Sequence, residues 1–185
     1  MKNFSKGITL IEIMVVVSLI TVITGVFVSD FPKIKLELGL SRVLHTMVLD
    51  IKTAQALSGS GHQEILPNGS FTLPKGYGIY INANALGNKK YLLYADINGD
   101  ARYTQDIDYI VKTIDISQQE PGIIIKEVHN ANTYLSINFA PPNFDTNISD
   151  LLPGNDGVDI VLAIEGDTSI IRTIFVNKAG LIEAK

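Results

Sequence analysis

The stretch Lys6-Gly7-Ile8-Thr9-Leu10-Ile11-Glu12-Ile13-Met14-Val15-Val16-Val17 decides how the rest of the chain is read. It opens an apolar run that continues to Phe31, broken only by Thr9, Glu12, Ser18, Thr21, Thr24, Gly25, Ser29 and Asp30. Roughly 20 such residues at a helical rise of about 1.5 Å match the thickness of a bilayer core, so the sequence predicts a membrane-spanning helix over 8–31. Lys2 and Lys6 precede it, and positive charge on the near side favours a cytoplasmic N-terminus with the remainder outside. A secretory signal peptide fits poorly, because its apolar core is about 7–15 residues long and closes on a small-x-small site that this run lacks. A plain signal anchor explains the length and the charge but not Glu12, since a carboxylate inside an apolar span costs about 2–3 kcal/mol or more.

Lys6-Gly7 followed by Ile8 and, four residues on, by a lone acid resembles the class III signal of type IV prepilins and pseudopilins. In that family a dedicated peptidase cuts after the glycine on the cytoplasmic face, methylates the new N-terminus and leaves a glutamate as the fifth mature residue. Gly7, Ile8 and Glu12 stand at the matching positions; Ile8 departs from the phenylalanine usual at the first mature position. The resemblance therefore implies leader cleavage between Gly7 and Ile8, N-methylation of Ile8 and an assembly role for Glu12. Cutting there creates an α-amino group with an ordinary pKa of about 7.7–8.0. In the family the glutamate of an incoming subunit pairs with its neighbour's amine, and an unpaired desolvated charge is penalised heavily enough to fix the register.

The resemblance also implies the partners: other pilin or pseudopilin subunits, the prepilin peptidase, an inner-membrane assembly platform, and membrane lipid before assembly. The expected location is the inner (cytoplasmic) membrane, crossed once with the head extracytoplasmic, and afterwards a filament in the periplasm or outside the cell. The rival reading is a membrane-anchored extracytoplasmic binding module that keeps an uncleaved signal anchor and stays monomeric.

Beyond Pro32 the pattern becomes amphipathic, with Leu36, Leu40, Val43, Leu44, Met47, Val48, Ile51, Ala54 and Leu57 at spacings of three and four. A helix continuing over 32–57 follows, with a break allowed at Pro32 and an end at Ser58-Gly59-Ser60-Gly61. From about residue 70 the periodicity is that of strands: 78–81, 91–95, 109–116, 123–128, 134–139, 158–164 and 170–176, each bounded by Gly, Pro, Asn or Asp. No βαβ alternation occurs, so the sheet should be antiparallel. The fold class expected is α+β: a long N-terminal helix, membrane-spanning in its first half and amphipathic in its second, packed on an antiparallel β-sheet head. The domains are 1–7 leader, 8–31 transmembrane and filament-core helix, 32–57 amphipathic helix, and 58–185 head. Residues 140–157, with Pro141, Pro142 and Pro153, read as a loop.

Tyr91-Leu92-Leu93-Tyr94-Ala95-Asp96-Ile97-Asn98-Gly99-Asp100, and the closing run Ile171 to Asn177 with Gly180, are similar to the hairpin and last strands of H-type minor pseudopilins and minor type IV pilins. They favour a minor subunit over a major one. Asp96, Asn98 and Asp100 occupy positions 1, 3 and 5 of an EF-hand-like loop and Thr104 position 9, but Ala101 replaces the glycine of position 6 and Ile107 the bidentate acid of position 12. Asp106 or Asp108 can substitute after a register change, which makes calcium the one cofactor candidate and these residues its candidate ligands. The bland alternative is an Asn-Gly hairpin turn decorated with solvated acids. A second acidic set, Asp150, Asp156 and Asp159, surrounds the late loop.

The chain is not read as an enzyme. His45, His62 and His129 stand in no nucleophile, zinc or general-base motif, and there is no cysteine to serve as nucleophile, thiolate ligand or disulfide. A net charge of -4 without a Lys/Arg-rich run gives no nucleic-acid footprint.

Overall fold

The computed structural model describes residues 7–66, 69–131, 134–141 and 145–185, the side chains of Val26, Ser29, Asp30 and Asp145 excepted. Apart from Gly7, the expected leader with Lys2 and Lys6 lies outside the described residues. In chain order the elements are α1 (Leu10–Ser60), β1 (Glu64–Ile65), β2 (Phe71–Thr72), β3 (Gly76–Asn82), β4 (Lys90–Asp96), β5 (Tyr109–Asp115), α2 (Ile116–Gln119), β6 (Ile123–His129), β7 (Tyr134–Ala140), β8 (Asp145–Ile148), β9 (Gly157–Ile164), β10 (Asp167–Asn177) and β11 (Ile182–Ala184). Two compact units emerge, Met1–Leu36 and Glu37–Lys185, and α1 contributes residues to both.

In the first unit the helix starts at Leu10 and passes through Pro32 without the break that proline allowed, since one missing N–H does not end a helix whose flanking turns stay bonded. Its apolar side chains point into open surroundings on every side: Ile8, Leu10, Ile13, Val17, Ile20 and Phe27 are all exposed.

In the second unit α1 becomes one-sided. Leu40, Val43, Leu44, Met47, Ile51 and Ala54, at the spacings of a single helix face, are buried, while His45 and Lys52 on the opposite side are exposed. The helix stops at Ser60, where Gly61 takes a positive φ of 64° that a Cβ would disfavour. Ser58 on its last turn donates to the carbonyl of Phe139 at 2.6 Å, and the buried Asp50 accepts from the Tyr91 hydroxyl at 2.7 Å with Lys112 Nζ 3.3 Å away. Arg42 pairs with Glu120 at 2.6 Å, beside Gly39, where a Cβ would stand 2.9 Å from the Glu120 carboxylate.

The strands form three sheets, antiparallel throughout: β1-β2, β5-β4-β3-β7-β8 and β11-β10-β9-β6. Short connections explain the pairing direction, as between β9 and β10, where only Glu165 and Gly166 intervene. The chain alternates between the two larger sheets, leaving the five-stranded one at α2, returning at β7 and leaving again before β9. Tyr77, Ile79, Leu93, Phe139, Ile160 and Leu162 are buried and, with the buried helix face, make up the core.

The architecture expected from sequence is therefore corrected. The described residues form a β-rich arrangement of eleven strands in three sheets, not a half-membrane-spanning helix on an antiparallel head sheet. Among the described residues no helix is long and apolar enough to cross a membrane, which overturns the transmembrane reading of 8–31 and with it the expected single-pass inner-membrane location. The apolar run also carries Glu12, a carboxylate that a membrane span would have to desolvate. All seven expected strands occur, but β8 lies inside the region read as a loop, and β1, β2, β11 and α2 had no clear sequence signal.

Candidate functional site

Two places gather the residues singled out from sequence. At the start of α1, Thr9 caps the helix: the Glu12 N–H donates to the Thr9 carbonyl at 3.1 Å and to its hydroxyl at 3.3 Å. Thr9-Leu10-Ile11-Glu12 is thus a T-x-x-E capping sequence, with the acid placed where the positive end of the helix dipole favours it. Sequence reading missed Thr9, although this spacing just ahead of an apolar run is its recognised signal. Glu12 is the only charged residue between Gly7 and Gly25, and Ser18 and Thr21 spend their hydroxyls on the carbonyls of Val15 and Val17. Ile8, 74% exposed, lines with Glu12, Ile13, Val16 and Val17 a shallow hollow of about 260 Å³.

The second place is the turn between β4 and β5. Asp96, Asp100 and Asp108 bring carboxylate oxygens within 4.8 Å of one another, the one group of acids and histidines among the described residues with the geometry to hold a metal ion. Each oxygen already accepts a hydrogen bond. Asp96 takes the N–H of Gly99 at 2.6 Å and of Ala101 at 2.9 Å, and the Asn138 amide at 3.3 Å. Asp108 takes the N–H of Ile97 at 2.9 Å and of Thr104 at 2.6 Å. Asp100 takes the N–H of Arg102, the Asn98 amide and the Thr104 hydroxyl, all at 2.9 Å. Ala101, at the place an EF-hand gives to glycine, adopts a φ of 61°.

The remaining candidates are not among these three carboxylates. Asn98 bridges to Asp100 at the exposed tip, while Asp106 is exposed, has a φ of 65° and lines a groove of about 980 Å³ beside Tyr80, Tyr103 and Tyr109. Asp150, Asp156 and Asp159 form no ion-holding group among the described residues.

Burial pushes the Asp96 carboxyl above its usual 3.8, against the N–H groups of Gly99 and Ala101 and helped by Asp108 and Asp100. Burial raises Asp108 likewise, against the N–H groups of Thr104 and Ile97. Asp100 is held low: burial acts to raise it, but the Arg102 N–H, Thr104 and Asn98 outweigh that. A carboxyl whose folded pKa is raised binds more protons folded than unfolded, so its contribution to stability is lost as pH rises from 3.8 through the folded value. Replacing Asp108 by Asn removes one such contribution. Wild-type stability relative to Asp108→Asn should accordingly be greater at about pH 4 than at about pH 7, measured by urea unfolding. An equal difference at both pH values would show that Asp108 titrates alike in both states.

Comparison with models of protein families, with curated proteins and with solved structures gives no match for this chain.

Proposed function

We propose that this chain is a structural filament subunit of the type IV pilin or pseudopilin kind, of the minor class, processed after Gly7 and assembled through its N-terminal helix. The observation that carries the reading is the run of exposed apolar side chains from Ile8 to Ile23, interrupted by a single carboxylate, Glu12, with Phe27, Val28 and Phe31 exposed beyond it. Isolated exposed apolar residues are ordinary, but a contiguous patch well beyond a few hundred Å² marks an interaction surface. Equivalent helices of neighbouring subunits can cover it, and a free amine at Ile8 of one copy is the natural counter-charge for Glu12 of the next. The prepilin-like residues Gly7, Ile8 and Glu12 support the same reading.

Intact and N-terminal peptide mass spectrometry on the protein from its native cell is the test. A mature chain beginning at Ile8, one methyl group heavier than its sequence, is expected; a chain beginning at Met1 or Lys2 removes the proposed partner of Glu12. Glu12 has a second, local role as a first-turn acid, and Gln at this position also serves a capping box. Glu12→Gln should therefore leave helix content unchanged while abolishing filament assembly, seen by electron microscopy. Filaments at the wild-type level would confine Glu12 to the cap.

A further inference from the structure

We infer that Asn98-Gly99, at the tip of the turn between β4 and β5, is a spontaneous deamidation site held shut by the carboxylates around it. Asparagine followed by glycine is the most reactive context for this chemistry, because glycine offers no side chain to shield its amide nitrogen. The Gly99 nitrogen loses its proton and bonds to Asn98 Cγ as the bond from Cγ to Nδ2 breaks. Nδ2 leaves as ammonia, taking up the proton. Water then opens the cyclic imide at either carbonyl, leaving aspartate or isoaspartate at position 98.

Both reacting groups are tied down. The Gly99 N–H, which must be given up first, donates to Asp96 Oδ1 at 2.6 Å, and Asp96 is only 2% exposed. The electrophilic side chain is anchored at both ends to the next residue but one: Asn98 Nδ2 donates to Asp100 Oδ2 at 2.9 Å, and Asn98 Oδ1 accepts the Asp100 N–H at 3.0 Å. Asn98 itself is exposed, so water reaches its side chain, and the two bonds to Asp100 restrain that side chain. Conversion would also place a fourth negative charge beside Asp96, Asp100 and Asp108, where burial and mutual repulsion already hold two carboxyls high. The chain's other Asn-Gly pair, Asn68-Gly69, has its asparagine outside the described residues.

The test follows the single-unit mass gain at position 98 by peptide mapping of the intact protein incubated at neutral pH, beside a synthetic peptide of residues 94–104. Conversion in the protein should be slower than in the peptide by about tenfold or more, the effect of one charge-assisted hydrogen bond that must break before reaction. Asp100→Ala, which frees the Asn98 side chain at an exposed site, should raise the rate in the folded protein towards that of the peptide. Wild-type conversion as fast as the peptide's overturns the inference, as does an unchanged rate in a folded Asp100→Ala variant. Should that variant fail to fold, the comparison with the peptide decides alone.

Discussion

A chain beginning at Glu37 is expected to stay folded and monomeric, whereas the chain from Ile8 onward self-associates in detergent-free buffer. The unit from Glu37 to Lys185 owns a complete core: the helix face of Leu40, Met47 and Ile51 and the sheet residues Tyr77, Ile79, Phe139 and Ile160 are buried within it. Nothing in that list comes from residues before Leu36. The first unit has the reverse character, with Leu10 at 78%, Phe27 at 72% and Phe31 at 67% exposure. Covering a large apolar side chain is worth about 1.5–3 kcal/mol, so burying six of them offers roughly 9–18 kcal/mol. That is comparable with the roughly 4–15 kcal/mol that association costs in lost freedom, and the run contains many more than six. Sedimentation velocity on both chains, with far-UV circular dichroism for folding, makes the check. A full chain that remains monomeric at micromolar concentration would remove the support for assembly through this segment, and a truncated chain that unfolds would show that the core needs residues before Glu37.

Gly78→Ala should destabilise the second unit by about 3 kcal/mol or more, enough to remove a large part of an ordinary domain's stability. Gly78 lies in β3, the middle strand of the five-stranded sheet, directly between Tyr94 on one side and Asn138 on the other. A Cβ there would press into the carbonyl oxygen of Ile137 and stand 2.7 Å from the Tyr94 ring. Neither can yield: the carbonyl is fixed by the sheet, and the ring is fully buried with Tyr103 edge-on at 5.5 Å. Gly166→Ala, in the turn joining β9 and β10, is the control, because nothing lies within 4 Å of its added Cβ. It should shift stability by no more than about 0.5 kcal/mol. Thermal or urea unfolding of the two variants reads the difference; equal small effects would mean that β3 can move away from β7 without loss.

Glu12 shows how one residue supports two arguments at different levels. Its place in an apolar run sets it apart in the sequence, and a resemblance then suggests a charge partner on another subunit. The structure adds that Thr9 and Glu12 begin a helix, a role that needs no partner at all. The two are separable because capping needs an acceptor of the right shape, while pairing with an amine needs the charge.

By itself, the sequence determined what depends on neighbours a few residues away. The helix face from Leu40 to Ala54 follows from a 3.6-residue period, its end from Gly61, and the positions of β3, β4, β5, β6, β7, β9 and β10 from short apolar runs between turn residues. Asp96, Asn98 and Asp100 were visible as a turn because Asn-Gly and Asx residues bond their own backbone. Only the tertiary structure decided which strand lies beside which. Nothing local in Ile123–His129 says that it pairs with β9, more than thirty residues on, or that β5 and β6, consecutive in the chain, belong to different sheets. The same non-local choice brings Asp108, just ahead of the next strand, back onto Asp96 and sets Asn138, from a third strand, against it. Apolarity alone also misled over 8–31: composition reports that a surface must be covered, but whether lipid or protein covers it depends on the length and continuity of the helix and on what packs against it.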